Sequence, residues 1–265
     1  MLTFVHISDT HITFDERYTQ PYASYPPLLG AHRLVEAVNA LPFTPNFILH
    51  TGDIAYDPFS EVYPGIAALF EQFKAPVWYV AGNHDDRAAV QTVLQGVRDP
   101  LLFPYSEREI NGVQVLLVDS NAVEPHEQPS GRVSDEQIAW LDAKCSADDD
   151  RPLVIAVHHN VVPVGVRWFD EFMGMRNGEA FHAAVRQARD RLRGVFHGHI
   201  HQAFDVLRDG VLYSAGSSSW CGFLGYPLAD FNAVIADPGF QPGFSVVHVT
   251  AQRTTIRRHT FSIAD

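Results

Sequence analysis

Cysteine is scarce in this chain: Cys145 and Cys221 are the only two in 265 residues. They are too few for a disulfide framework and show no Cys-x-x-Cys spacing, so a disulfide-stapled scaffold is excluded and both read as plain buried thiols. Basic charge is also short, with 19 Lys and Arg against 31 Asp and Glu and a net charge of −12. A sequence-independent nucleic-acid binder needs a Lys/Arg surface to displace counterions from phosphates, so nucleic acid is disfavoured as a partner. No apolar run approaches the roughly 18 to 20 residues that span a bilayer. The opening Met1-Leu2-Thr3-Phe4-Val5-His6 lacks a basic segment followed by an apolar one. The expectation is a cytoplasmic protein with no membrane partner. Low-complexity tracts and internal repeats are absent as well, and the length suits one large α/β domain over residues 1–265.

What is present is a succession of short β-forming runs, each ending in polar residues. Leu2 to Ile7 runs into Ser8-Asp9-Thr10-His11, Phe47 to Thr51 into Gly52-Asp53, and Val77 to Ala81 into Gly82-Asn83-His84-Asp85. Leu153 to Val157 runs into His158-His159-Asn160, and Gly194 to His197 into Gly198-His199-Ile200-His201. Between the first two, Leu28, Ala31, Leu34, Val35, Val38 and Leu41 fall at helical spacing, so the order alternates β and α. Ser134-Asp135-Glu136-Gln137 has capping-box spacing before a second helix, Glu179 to Leu192 reads as a third, and Gly112 to Val118 as a further strand. Strands are also predicted at Val211 to Ser214, Ser245 to Val249 and Thr254 to His259, with a turn at Arg208-Asp209-Gly210. The segments 161–177 and 217–243 fit no element, and long loops of that kind are often functional, so they are expected to be loops or caps.

Sites in open α/β sheets form beyond the carboxyl ends of strands, so the five polar tips are placed to converge. Each tip alone is weak, since a strand-end His is more often hydrogen-bonded structure than a ligand. The ordered set of five is what points to a metal centre. Carboxylate, amide and imidazole donors without thiolate favour Mn, Fe, Zn, Co or Ni. Asp9, His11, Asp53, Asn83, His158, His199 and His201 are too many for one tetrahedral ion. They suit two ions that share a carboxylate and leave positions for water and substrate.

Asp9-x-His11, Gly52-Asp53, Gly82-Asn83-His84-Asp85, His158 and Gly198-His199-x-His201 together resemble the five blocks of calcineurin-like metallophosphoesterases. Asn83-His84-Asp85-Asp86-Arg87 and Gln137-Ile138-Ala139-Trp140-Leu141 are similar to the branch containing class III cyclic-nucleotide phosphodiesterases and bacterial glycerophosphodiesterases. The resemblance implies a four-layer α/β/β/α sandwich of two mixed β-sheets, with a dinuclear site at the strand ends. It implies one ion on Asp9, His11, Asp53 and His201 and the other on Asp53, Asn83, His158 and His199, with Asp53 as the bridge. It gives His84 contact with the substrate and Asp85 the orientation of His84. Relatives often carry His-His-Pro-Pro where this chain has His158-His159-Asn160-Val161, so the following loop is expected to differ; His159 is the alternative to His158 as ligand.

The expected activity is hydrolysis of a small phosphodiester, a 3′,5′-cyclic nucleotide or a glycerophosphodiester, by attack of a metal-bound hydroxide. Two divalent ions with Asp9, Asp53 and a bridging hydroxide sum to about +1, suited to a phosphodiester monoanion, and Asn83 binds without adding charge. A phosphomonoesterase, a nucleotide pyrophosphatase and a non-catalytic interaction scaffold are the alternatives, and a homo-oligomer is compatible with all of them. Arg17, Tyr18, Tyr22, Arg167, Trp168, Trp220, Phe223 and Tyr226 are candidates for substrate specificity, with core or interface filling as their other reading.

Overall fold

The computed structural model describes residues 1–15, 23–56, 60–226 and 235–264. In chain order the elements are β1 (Leu2–Ile7), α1 (Pro27–Asn39), β2 (Phe47–His50), α2 (Tyr63–Phe70), β3 (Val77–Tyr79) and α3 (Arg87–Ala89), which a π-turn extends through Leu94. They continue with β4 (Tyr105–Ile110), β5 (Val113–Val118), α4 (Asp135–Cys145), β6 (Leu153–Ala156), α5 (Gly178–Val185) and β7 (Leu192–His197). The last are β8 (Asp205–Arg208), β9 (Val211–Ala215), β10 (Gly243–Val249) and β11 (Thr254–Thr260). They form a five-stranded sheet, β11-β10-β1-β2-β3, and a six-stranded sheet, β4-β5-β6-β7-β9-β8. Both are mixed: β1, β2 and β3 run parallel, as do β5, β6, β7 and β9, while the pairings β1-β10, β10-β11, β4-β5 and β8-β9 are antiparallel.

Residue alternation along the strands sets the layers. Phe4, Phe47, Leu49 and Val247 of the first sheet meet Val115, Leu117, Val154, Ala156 and Phe196 of the second in one apolar cluster. There Phe4 stacks on Phe47 at 5.0 Å and meets Phe196 edge-on at 5.1 Å. The other face of the first sheet, through Val5, Ile7 and Ile48, packs on Leu34, Val35 and Val38 of α1 and on Ile66, Leu69 and Phe70 of α2. The other face of the second, through Leu116, Ile155, Val195 and Tyr213, packs on Leu141 of α4 and on Phe181 and Val185 of α5. The result is the four-layer α/β/β/α arrangement, with the central strands β1, β2, β5, β6 and β7 buried on both faces and therefore apolar almost without interruption.

Local chemistry fixes several boundaries. Ser134 Oγ accepts from the Gln137 amide at 3.2 Å and Gln137 Oε1 accepts from the Ser134 amide at 2.8 Å, the reciprocal capping box that starts α4. Ser134→Ala is expected to cost about 1 kcal/mol of stability, read as a lower urea midpoint with unchanged slope. Asn111-Gly112 and Asp209-Gly210 supply consecutive positive φ values, 52° and 73°, then 50° and 80°, and close the β4-β5 and β8-β9 hairpins. The helix expected to reach Leu192 stops earlier: α5 ends at Val185, a 3-10 turn covers Arg186–Ala188, and Leu192 already pairs with Leu153 of β6. Arg191 holds this reversal, donating to the Lys144 and Arg151 carbonyls at 2.8 and 3.2 Å.

The loop after β6 and the one after β9 pack on each other. Val166, Phe169 and Met173 of the first join Trp220, Cys221 and Phe223 of the second, with Ile200, in a separate apolar cluster. No helix among the described residues is long and apolar enough to cross a membrane.

Candidate metal centre

β1, β2 and β3 of one sheet and β6 and β7 of the other deliver their polar tips to a common edge. Loop ladders carry the register past the strands: Asp9 N donates to Gly52 O at 3.0 Å, His11 N to Asp53 O at 2.9 Å, and Gly198 N to His158 O at 3.0 Å. Asp9, His11, Asp53, His199 and His201 all adopt left-handed backbone, with φ of 52°, 46°, 51°, 75° and 54°. Each such non-glycine residue costs about 1 kcal/mol or more, and clusters of them mark functional sites. The preceding glycines are required by close approach. A Cβ on Gly82 would lie 2.1 Å from Asp53 Oδ1, and one on Gly198 would lie 1.9 Å from Ser8 Oγ.

The donors fall into two groups around one oxygen. In the first, His11 Nε2 lies 3.0 Å from His201 Nε2 and 3.6 Å from Asp53 Oδ2, and His201 Nε2 lies 3.7 Å from Asp9 Oδ1. In the second, His158 Nε2 lies 3.3 Å from the same Asp53 Oδ2, 3.2 Å from Asn83 Oδ1 and 3.1 Å from His199 Nδ1. All seven sequence candidates are thus brought together.

The chemistry of this donor set fits cations. Facing ring nitrogens 3.0 Å apart cannot both carry protons, and burial drives His11 and His199 well below the usual imidazole range and His201 to about 4, which leaves their lone pairs free. Outer hydrogen bonds set two tautomers: His158 Nδ1 donates to Thr51 O at 2.7 Å and His201 Nδ1 to Cys221 O at 3.0 Å, so both present Nε2 inward. Burial, with the Asp53 charge and against the pull of His158, pushes Asp9 up to about 7. Burial would also raise Asp53, but His158 and then His84 outweigh it and hold this carboxylate well below its ordinary value. Burial opposes a charge on His158, yet Asp53 and Asp9 raise it to about 9.

His84 is half-buried; its amide donates to Asp53 Oδ1 at 3.0 Å and its Nδ1 donates to the Tyr56 carbonyl at 2.7 Å. This corrects one expectation, because Asp85 does not orient His84. The Asp85 carboxylate accepts instead from the amides of Ile54 (3.0 Å), Ala55 (2.9 Å) and Gly82 (2.8 Å) and from the Tyr63 hydroxyl (3.1 Å). It ties the loop after β2 to the loop after β3, and the tautomer of His84 is set by a backbone carbonyl. His159 lies beside the second group, its ring 4.4 Å from that of His199 and its Nδ1 2.7 Å from Ser120 Oγ. His50 is structural, joining Thr10 Oγ1 and the Gly52 amide.

A cavity of about 220 Å³ opens over these groups, walled by Tyr56, Pro129, Trp168, Met173, Trp220 and Phe223. Trp168, Trp220 and Phe223 were candidates; Tyr56, Pro129 and Met173 were not, and no motif marks them. Arg167 is exposed and pairs with Glu171 at 3.1 Å, while Tyr226 lines a different cavity beside His201. Arg17, Tyr18 and Tyr22 lie outside the described residues.

The calcineurin-like phosphoesterase family model matches residues 2–203. The chain is 30% identical over 243 residues to the 3′,5′-cyclic adenosine monophosphate phosphodiesterase CpdA of Pseudomonas aeruginosa, covering 89% of this chain and 83% of that protein. It is 27% identical over 205 residues to the glycerophosphodiester phosphodiesterase GpdQ of Enterobacter lignolyticus, covering 76% of this chain and 71% of that protein. Its fold is similar to that of a dimetal phosphatase from Danio rerio, with a TM-score of 0.70 and 15% identity over 98% of this chain and 96% of that one. The family match runs from the first strand through the last of the converging histidines, and the chain belongs to the calcineurin-like phosphoesterases.

Proposed function

We propose that this chain is a dinuclear metal-dependent phosphodiesterase acting on a 3′,5′-cyclic nucleotide. The observation that carries the reading is that one carboxylate oxygen, Asp53 Oδ2, sits between two separate groups of nitrogen and oxygen donors, 3.6 Å from His11 Nε2 and 3.3 Å from His158 Nε2. In it Asp9, His11, Asp53 and His201 hold one ion, and Asp53, Asn83, His158 and His199 hold the other. Bound divalent ions supply Lewis acidity toward the phosphoryl oxygens and a nucleophilic water at neutral pH. His84, whose Nδ1 proton is committed to the Tyr56 carbonyl, turns Nε2 to the substrate; as the imidazolium it gives its Nε2 proton to the leaving ribose oxygen and is left as the neutral Nδ1–H imidazole, which solvent protonates again. Asp85 holds the two loops that carry Asp53 and Asn83 in register.

The relatives' names cover cyclic nucleotides and glycerophosphodiesters, and the walls favour the first. Tyr56, Trp168 and Phe223 line the cavity with aromatic rings, and stacking of a base on such a ring contributes roughly 1 to 3 kcal/mol. The described residues of the segments 161–177 and 217–243 serve as a cap on one catalytic unit, supported by the apolar cluster that Val166, Phe169 and Met173 share with Trp220, Cys221 and Phe223. A cytoplasmic setting suits the substrate and the two buried, unbridged thiols.

The test is a panel of cyclic AMP, glycerophosphoethanolamine, bis(p-nitrophenyl) phosphate and p-nitrophenyl phosphate, compared by kcat/KM. Cyclic AMP is expected to exceed glycerophosphoethanolamine by roughly tenfold or more, chelator to abolish all activity, and added Mn²⁺ to restore it. Preference for the monoester would give the site to a phosphomonoesterase, and diesterase activity that survives chelation would end the metal-dependent reading.

A further inference from the structure

We propose that His159 is a positioning residue for the second ion, acting through His199 as the outermost link but one of a chain Ser120–His159–His199. The inference rests on the reading that His199 holds an ion. An imidazole that binds a metal through one nitrogen normally has the proton on its other nitrogen held by an acceptor. His158 and His201 meet that requirement through the Thr51 and Cys221 carbonyls. His199 does not: its Nδ1 faces His158 Nε2 at 3.1 Å, and its Nε2 is fully buried with no hydrogen-bond partner.

The neighbouring ring has the complementary fault. His159 is completely buried, its Nδ1 lies 2.7 Å from Ser120 Oγ, and its Nε2 is buried and unpartnered. The Ser120 hydroxyl already accepts the His159 amide at 3.3 Å. Its second lone pair can take Nδ1–H, which leaves His159 Nε2 as an acceptor. A donor on His199 and an acceptor on His159, each without a hydrogen-bond partner, therefore belong to rings 4.4 Å apart, the shortest spacing among the histidine pairs of the site. One ring nitrogen from each of His158, His159 and His199 lies within 4.8 Å of the others. The place is shaped for the His159 ring, because a Cβ on Gly131 would lie 2.3 Å from its Cγ. The His199–His159 bond closes when His199 binds through Nδ1 and its proton is fixed on Nε2, which sets the tautomer and aim of the ligand.

The experiment compares wild type with His159→Phe and Ser120→Ala by calorimetric titration of the ion-free proteins with Zn²⁺. Nitrogen-15 NMR of the histidines in the zinc-loaded proteins provides the second readout. His159→Phe is expected to weaken one of the two sites by roughly 10- to 100-fold while leaving the other near wild type, and to shift the His199 Nε2–H resonance. Ser120→Ala keeps the ring and guards against a folding defect; it is expected to weaken the same site by less. Two ions held by His159→Phe as tightly as by wild type would overturn the inference, as would a scalar coupling from bound ¹¹³Cd to a His159 nitrogen, which would make it a ligand. Wild type that takes up a single ion would overturn the two-ion reading itself.

Discussion

Asp53→Asn is expected to lower kcat/KM on bis(p-nitrophenyl) phosphate by about 10³-fold or more, the loss that follows when several kcal/mol of metal-centred stabilisation is removed. One oxygen of this side chain stands between His11 and His158, and the other accepts the His84 amide at 3.0 Å. An amide must place its NH₂ on one of those sides. Turned inward it points a donor where cations belong; turned outward it opposes the His84 amide and still lacks the negative charge. The substitution also removes the largest influence that raises the His158 pKa against burial, so the second half of the centre loses its electrostatic anchor. Metal analysis should show fewer than two ions per chain. Two ions and near-wild-type turnover in this variant would mean that Asp53 bridges nothing.

The second large effect concerns His84. His84→Ala is expected to reduce turnover by about 10² to 10⁴-fold with metal content intact, and the loss should depend on the leaving group. A ribose alkoxide needs a proton as the ester bond breaks, whereas p-nitrophenolate leaves without one. The deficit should therefore be large on cyclic AMP and much smaller on bis(p-nitrophenyl) phosphate. Equal deficits on both substrates would assign His84 to charge stabilisation of the phosphoryl group instead of proton transfer. Rescue by free imidazole on cyclic AMP alone would strengthen the general-acid assignment.

The parts of this molecule that were legible in advance share a cause. β1 occupies the predicted Leu2 to Ile7, and β2, β5, β6 and β9 match their predicted cores within a residue or so, because strands buried on both faces write continuous apolar runs. The convergence of Asp9, His11, Asp53, Asn83, His158, His199 and His201 was legible because each follows the end of such a run. Elements outside that grammar were missed. β4, Tyr-Ser-Glu-Arg-Glu-Ile, is a polar edge strand with exposed charges, and α2 begins Tyr63-Pro64-Gly65, whose Pro and Gly read as loop although Pro is tolerated in a first turn. β8 lies at the opposite edge and exposes Asp205 and Leu207. The role of Asp85 was misread because its partners, the amides of Ile54, Ala55 and Gly82, are set by how two loops meet, which no local pattern records. The cavity walls at Tyr56, Pro129 and Met173 come from aperiodic segments and carry no signature.

The left-handed turns at Asp9, His11, Asp53, His199 and His201 bear on how such a centre arises and is lost. Each is held in a backbone shape that an L-residue leaves when its surroundings slacken, so the sandwich must be stable enough to carry that burden before any cation arrives. A distant mutation that loosens the sheet edges would first let these five residues relax, and chemistry would fail while most of the fold survived.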